Sequence, residues 1–473
     1  MQELIDYERL GKKYDAGRIG GYLSYPVINF WRESISDGEV LSLCQTAGAS
    51  DPDGAYLYFH FPYCRAICTY CACYATAAAR PDVKNEDYTS TLLHEIERKL
   101  EPFSGRRLRA GQLHWGGGTP SLLTAGQIRK VCEKIDAYVV WSNDAVRSIE
   151  MYPDETSVTD EKLRCLKDNG FTQISFGIES FDPNVLKAIN RGQDPAAALR
   201  LFEKARKFGF GVHCDLVYGL PFQDLNGFSE TIDAVIKLEP DRLATFAFLY
   251  TPRTVKHQRA IKKEWVPDSV ERIRLYQLLE GKMLSTGYTR VGVDHFVKGT
   301  DDPLARAALA GDIVHHFQGY EPASRKSFLG FGSSAISYID DCYFQNLTNI
   351  GDYTRAVLEG RVPTSVRVGH RLSYDDKLRA NIILQALMCR LQINKDAVEK
   401  SFSIRFDEYF RDEIEQLKDM ELEGLVQGVA GRTINVTAAG RPLLRVICRV
   451  FDRYARGLNS SATVKREWEL RPC

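Results

Sequence analysis

Between residues 55 and about 250 the chain alternates six apolar, strand-like runs with helix-like segments, and this alternation narrows the fold more than any other feature. Ala55-Tyr-Leu-Tyr-Phe-His-Phe61 is a short continuous apolar and aromatic run, as in a strand buried on both faces. Further strands are predicted at Gln112–Trp115, Arg147–Met151, Gln173–Gly177, Gly211–Val217 and Arg242–Phe248. Leu92, Leu93, Ile96 and Leu100 share one face of a helix over Asp87–Leu100, and helices are expected around 125–139 and 159–169. Repeated strand–helix units build a parallel sheet covered by helices. Six units fall short of a closed eight-fold barrel. The expected class is therefore α/β, a partial (three-quarter) barrel whose open side admits a substrate.

The first strand leads into four cysteines. Cys64, Cys68, Cys71 and Cys73 lie within ten residues, and the first three are spaced C-x3-C-x2-C. In α/β barrels, the loop leaving the carboxyl end of a strand is where chemistry sits. Soft thiolates select iron–sulfur or zinc. Three thiolates this close fit one face of a four-iron cluster and leave one iron open to a non-protein ligand. A zinc knuckle wants a second ligand pair, and none follows at a suitable spacing. The other eight cysteines (Cys44, Cys132, Cys165, Cys214, Cys342, Cys389, Cys448, Cys473) are scattered, which opposes a disulfide framework. With no N-terminal signal stretch, this usage suits a reducing cytosol, and a cytoplasmic location is expected.

The 62 Lys plus Arg residues equal the 62 Asp plus Glu, so no basic block points to nucleic acid. No apolar run approaches the length of a membrane span. Chain length allows two or three domains. Residues 1–50 read as an N-terminal arm and substrate lid, because Gly21-Tyr-Leu-Ser-Tyr-Pro-Val-Ile-Asn-Phe-Trp31 is too aromatic for a free tail. Residues 51–300 form the core, 301–375 complete it, and 376–473 form a mainly helical C-terminal domain with one short β piece, Leu425–Val436. The Val436-Thr-Ala-Ala-Gly-Arg441 run before an apolar helix resembles a winged-helix tail.

Polar or glycine-rich tips follow successive strands. His114-Trp-Gly-Gly-Gly-Thr-Pro120 has a glycine triplet that lets backbone approach a ligand, or is a plain turn. Ser148-Ile-Glu150 ends the next strand with an acid, suited to an ammonium or ribose, or simply solvated. Ser175-Phe-Gly-Ile-Glu-Ser-Phe181 is followed by Asn190-Arg-Gly-Gln193, where Arg191 could grip a carboxylate with its planar fork. Asp215, in His213-Cys-Asp-Leu-Val-Tyr-Gly-Leu-Pro221, is placed to accept from ribose hydroxyls.

The C-x3-C-x2-C spacing after a first strand resembles the radical S-adenosylmethionine (SAM) superfamily. Together with the fourth cysteine, the strand-end motifs, Val293-Asp-His-Phe296, His316-Phe-Gln-Gly-Tyr320, Gly330-Phe-Gly-Ser-Ser-Ala-Ile-Ser337 and Asp341-Cys-Tyr-Phe-Gln-Asn346, the chain resembles the oxygen-independent coproporphyrinogen III dehydrogenase family over about residues 20–457. The resemblance implies one 4Fe-4S cluster on Cys64, Cys68 and Cys71, with Cys73 not a ligand, and two SAM molecules. It places Tyr58, Gly117, Glu150 and Ile336 on the first SAM, and Tyr70, Gly118, Thr119, Arg191 and Asp215 on the second. Glu179 and Leu249 also face the second SAM, at positions where the family usually has Gln and Ala. Met151-Tyr-Pro153 replaces a Val-Asp-Pro segment. Gly21 replaces an arginine of the family's N-terminal motif. The implied reaction is oxidative decarboxylation of two propionates to vinyl groups in haem biosynthesis, with a small-molecule substrate, an electron donor such as flavodoxin or ferredoxin, and a monomeric enzyme. A related two-SAM methyltransferase or cyclopropanase acting on a non-porphyrin substrate is the alternative. A related haem-trafficking chaperone is opposed by Cys73 and by Tyr22-Leu-Ser-Tyr-Pro26.

Overall fold

The structure, a computed structural model, describes residues 6–14, 21–324 and 326–456. Residues 1–5 and 15–20 of the arm, and 457–473 of the C-terminal region with Cys473, lie outside the described residues.

A twelve-stranded sheet forms the frame. Its strands are β1 (Ala55–Phe61), β2 (Leu108–Gly117), β3 (Val139–Met151), β4 (Gln173–Glu179), β5 (Gly211–Tyr218), β6 (Arg242–Ala247), β7 (Tyr288–Val291), β8 (His295–Lys298), β9 (Phe328–Phe331), β10 (Ile336–Ile339), β11 (Cys342–Asn346) and β12 (Thr364–Arg371). The spatial order is β12-β11-β10-β9-β1-β2-β3-β4-β5-β6-β8-β7, so the sheet stays open. Pairing is parallel from β9 through β1 to β6 and antiparallel at both ends. The six predicted strands are β1–β6. The seventh parallel strand, β9, comes from beyond residue 300 and pairs with the outer side of β1.

Every residue of β1 is buried, as its unbroken apolar run requires. Two boundaries differ from expectation. The helix expected to 139 ends at Asp136, and β3 begins at Val139. The polar Ser142-Asn-Asp stretch hid this half of β3, which pairs with Leu108–Ala110 before a register shift. The helix expected from Asp87 starts at Pro81, where proline suits the first turn. Helix starts carry conventional caps. Thr124 and Gln127 form a capping box, Thr159 accepts from Lys162 N, and Asp268 with Glu271 forms another box.

The helix Pro81–Leu100 is bound to the β9–β11 wing by a buried polar network. Lys99 and Glu95 are both fully buried, 2.8 Å apart. Lys99 Nζ also donates to Gly330 O at 2.8 Å and Asn346 Oδ1 at 2.9 Å. Glu95 accepts from Gly332 N, Asn346 Nδ2 and Tyr353 OH at 2.6–2.7 Å. Each charge is thus fully solvated by protein, which a buried ion pair needs.

The arm packs between sheet and C-terminal helices, as its aromatic content implied. Tyr22, Tyr25 and Trp31 are buried. Tyr22 OH donates to Asp452 at 3.1 Å, and Trp31 stacks on Tyr343 at 4.8 Å. The C-terminal region holds three strands where one short β piece was expected, because Leu425–Val436 divides into two and a third precedes them. Gln392–Asn394 joins Val426–Gln427 and Thr433–Val436 in a small antiparallel sheet. Three residues between helices were too short a run to show periodicity. Among the described residues no helix is long and apolar enough to cross a membrane.

Candidate active site

The cysteine loop leaves β1 at the carboxyl end of the parallel strands. Cys64, Cys68 and Cys71 are half-buried free thiols, and Cys73 is exposed. Each of the three meets a donor. Thr119 Oγ1 donates to Cys64 Sγ at 3.2 Å, Arg191 Nη1 to Cys68 Sγ at 3.5 Å, and Cys73 N to Cys71 Sγ at 3.4 Å. Burial pushes the Cys64 thiol up to about 12 and raises Cys68, with Thr119 and Arg191 opposing. Cys71 is lowered, because hydrogen bonds from Cys73 outweigh burial. Among the described residues no group of His, Cys, Asp or Glu closes on a single metal ion. Thiolates on a cube bind different irons, so they stand farther apart than ligands of one ion. Three unpaired thiols on one loop, each with a donor aimed at sulfur, fit a four-iron cluster.

The loop is clamped from outside. Asn190 Nδ2 donates to Ile67 O at 2.9 Å, and Thr69 N donates to Ile189 O at 2.8 Å. His257 Nε2 meets Cys71 O at 2.6 Å, so that nitrogen carries the proton. Buried Gln258 donates from Nε2 to Tyr70 O and Leu249 O, both at 3.0 Å. Arg191 was expected to grip a carboxylate two-pronged. In the structure its fork bonds Gly177 O, Gln193 Oε1 and Cys68 Sγ, with Glu179 Oε1 farther off at 3.7 Å. Its guanidinium also lies 4.7 Å from the Tyr152 ring centroid.

Beside the cysteines a cavity of about 540 Å³ opens inside the curved sheet. Tyr58, Tyr70, Gly117, Glu150, Glu179, Asp215, Leu249 and Ile336 all line it with Cys71. Gly118, Thr119, Arg191, Cys64 and Cys68 do not. Three carboxylates, Glu150, Glu179 and Asp215, face it from the consecutive strands β3, β4 and β5. Glu150 accepts from His114 Nε2 at 3.0 Å and Gly117 N at 3.2 Å. Asp215 accepts from Ser175 Oγ at 2.9 Å. Burial raises Glu179 against the pull of Arg191, and burial with the neighbouring Glu179 and Glu150 raises Asp215 well above its usual range. Three carboxylates converging on one cavity make it a site for positive charge. Glu179 also sits at a bulge between β4 and β5 with φ of 64°. That left-handed conformation costs a non-glycine residue about 1 kcal/mol or more. The bulge re-aims its carboxylate.

The glycine triplet works differently from a simple open platform. A Cβ on Gly116 would lie 2.7 Å from Glu150, one on Gly117 2.5 Å from His60, and one on Gly118 2.8 Å from Phe61 O. The triplet lets β2 close on its neighbours and leaves Gly117 N free to hold Glu150. Sequence reasoning passed over His60 and His114. His60 Nε2 meets Tyr74 O at 2.8 Å, which leaves Nδ1 to accept from Tyr58 OH at 3.0 Å. His60 is two residues from Tyr58 on the same strand face, a signal present in the sequence.

Residues 58–235 match the radical SAM superfamily. An oxygen-independent coproporphyrinogen III oxidase of Pseudomonas aeruginosa is 33% identical over 440 residues, 93% of this chain and 94% of that protein. The chain belongs to the oxygen-independent coproporphyrinogen III oxidase family. The Escherichia coli member is 34% identical over 437 residues. The solved structure of the E. coli coproporphyrinogen III oxidase, described as a radical SAM enzyme, matches with a TM-score of 0.84 and 33% identity, covering 96% of this chain and all of that one. Membership makes this an enzyme, a radical SAM oxidoreductase that uses a 4Fe-4S cluster and SAM.

Proposed function

We propose that this chain converts coproporphyrinogen III to protoporphyrinogen IX by oxygen-independent oxidative decarboxylation of two propionate side chains. The single observation carrying this reading is the end-to-end similarity to curated oxidases at 33–34% identity, with Cys71 of the C-x3-C-x2-C loop lining the cavity. Cys64, Cys68 and Cys71 would hold the cluster. Tyr58, Gly117, Glu150 and Ile336 would serve one SAM, and Tyr70, Gly118, Thr119, Arg191 and Asp215 the other, beside Glu179 and Leu249. The cofactors, when bound, supply hydrogen-atom abstraction and electron uptake.

The protein's part is placement. Glu150, fixed by His114 and Gly117 N, offers acceptor oxygens to an ammonium or ribose. Asp215 and Glu179, both raised by burial, would gain a compensating charge from cationic SAM. Besides its proposed place on the second SAM, Arg191 joins the cysteine loop to β4 through Cys68 Sγ and Gly177 O. Abstraction from a carbon needs near-contact geometry rather than a strong acid or base. The buried walls and the arm keep water from reactive species. A monomer in the cytoplasm, reduced by a flavodoxin- or ferredoxin-like donor, completes the reading.

Anaerobic incubation with coproporphyrinogen III, SAM and a reductant tests it. Loss of two carbon dioxide masses is expected, with deuterium from the propionate carbon next to the pyrrole appearing in 5′-deoxyadenosine. Methyl or methylene gain on another acceptor, with no decarboxylation, would replace this reading with the methyltransferase or cyclopropanase one.

A further inference from the structure

The cysteine loop meets the cavity on one side, through Tyr70–Cys73. Its other side is covered by a second piece of chain. Residues 252–266 run Pro-Arg-Thr-Val-Lys-His-Gln-Arg-Ala-Ile-Lys-Lys-Glu-Trp-Val. They hold five Lys or Arg against one acid, Glu264, in a chain of zero net charge. Val255, Gln258 and Ile261 are buried, at the three-residue period of the 3-10 helix Lys256–Ala260. That period turns Lys256, His257, Arg259, Lys262 and Lys263 outward, and all five are exposed.

This segment touches the loop directly. His257 Nε2 donates to the carbonyl of Cys71 at 2.6 Å, and Gln258 holds Tyr70 O at 3.0 Å. One hydrogen bond and the covalent bonds of a single residue separate the exposed imidazole from the Cys71 thiol. On the loop's other flank, Thr69 bonds Ala188 O and Ile189 O at the end of the helix Pro183–Ala188, whose Lys187 is exposed. Val185, Leu186 and Ile189 share an apolar cluster with Ile261, and Tyr70 packs against it, so both flanks rest on one support.

The cations of this face are not spent within the protein. Lys187, Lys256, Arg259, Lys262 and Lys263 form no ion pair among the described residues. Arg259 turns to Pro252 O, and Lys262 lies over the Trp265 ring, 5.3 Å from its centroid. Elsewhere on the surface such cations are matched, as Arg200 is with Glu155 and Lys204 with Asp160. Of the acids bordering the face, Asp182 and Asp268 cap helices, and Asp154 pairs with Arg65 of the loop at 3.2 Å. Beside Lys262 lies an exposed aromatic spot. Phe222, 48% exposed and at φ of 62°, stacks on Trp265 with ring centroids 5.0 Å apart.

We infer that this face docks a small acidic protein that carries one electron, which sets the entry point of the electron beside Cys71. The inference rests on the function proposed above, through Cys71 as a cluster ligand. One electron leaves the reduced flavin or iron–sulfur group of the carrier and reduces the cluster, and no atom passes between the two proteins. Unmatched cations around an aromatic anchor steer an acidic partner and fix its orientation, and redox encounters need only a small interface.

An acidic flavodoxin, titrated into the holoenzyme, should bind with a Kd that weakens as salt rises. Lys256→Glu, Lys262→Glu and Lys263→Glu together should raise that Kd about tenfold or more and slow cluster reduction by reduced flavodoxin by a similar factor, with reduction by dithionite within about threefold of wild type. Cluster absorbance and thermal unfolding show whether the variant is intact. Flavodoxin binding and reduction equal to wild type in that variant overturn the assignment. A test on the native holoenzyme needs no variant. Zero-length carbodiimide cross-linking should join flavodoxin carboxylates to Lys256, Lys262 or Lys263, as read by peptide mass spectrometry. Cross-links confined to other lysines, or no binding at all, overturn the assignment. A wild-type protein that assembles no cluster fails at the functional reading. One whose cluster dithionite reduces, but whose flavodoxin binding ignores these lysines, fails here alone.

Discussion

The two walls of the cavity are assembled in opposite ways. On one wall, the cysteine loop, Gly117, Glu150, Glu179 and Leu249 lie at or just beyond the carboxyl ends of their own strands, in chain order. On the other, Gly21 comes from the arm, Ile336 from the antiparallel wing, Arg272 from a core helix and Arg445 from the C-terminal domain. The first wall follows from local topology, because parallel strands with helical crossovers put all their carboxyl ends at one rim. The second depends on long-range packing. Most of the residues proposed to hold cofactor therefore sit where the fold must put them, whereas Ile336 and the cavity arginines come from where the wing and the C-terminal helices close. The latter wall can diverge without disturbing the former.

The strongest test of the local wall is removal of a thiolate. Cys64→Ala, Cys68→Ala or Cys71→Ala should abolish cluster absorbance and SAM cleavage, whereas Cys73→Ala should still assemble the cluster. Iron retained in Cys71→Ala but lost in Cys73→Ala would reverse the ligand assignment.

The remote wall should break through stability instead. Lys99→Met strands the buried Glu95 carboxylate without its cation, and breaking such a pair costs about 3–5 kcal/mol. Denaturant unfolding measures the loss. A variant as stable as wild type would show that the wing is not fastened by this network.

Arg191→Lys probes the seam between the cysteine loop and β4. The lysine cannot reproduce contacts to Gly177 O, Gln193 and Cys68 Sγ together. Turnover should fall about ten- to hundredfold, from hydrogen bonds worth ~1.5–3 kcal/mol, with a smaller change in cluster reduction measured by electron paramagnetic resonance. Equal losses in both would make the arginine a general support of the loop.

The smallest effect concerns pH. Burial raises the folded-state Asp215 above its unfolded value, so its penalty is absent at low pH and grows as pH rises past about 4. Stability of the SAM-free protein should fall across that range. Asp215→Asn should keep the Ser175 hydrogen bond, raise the melting temperature of SAM-free protein at neutral pH and weaken SAM binding. A lower melting temperature would show that the carboxylate is stabilised as an anion even without SAM.

Legibility followed the same division. Six of the seven parallel strands could be placed from apolar or alternating segments, most clearly the fully buried Ala55–Phe61, whereas the four-residue β9 went unseen. The polar first half of β3 and the three-residue strand at Gln392 carried no such periodicity and went unseen. The cysteine spacing and the strand acids Glu150, Glu179 and Asp215 are local, so they were found, although Asp215 lies inside β5 rather than at its end. His114 and Asn190 lay inside quoted motifs, yet their partners, Glu150 and the Ile67 carbonyl, are contacts across the fold.

By itself the sequence determined the α/β class, six of the parallel strands, the thiol triad and the family, because each is written in short-range spacing or in similarity along the whole chain. Only the tertiary structure decided that the fork of Arg191 bonds Gly177 O, Gln193 and Cys68 Sγ, that the glycine triplet seats Glu150 and His60, and that Arg272 and Arg445 face one cavity. Those facts depend on which side chains meet across hundreds of residues. Packing and charge balance settle such meetings, and no periodicity along the chain encodes them.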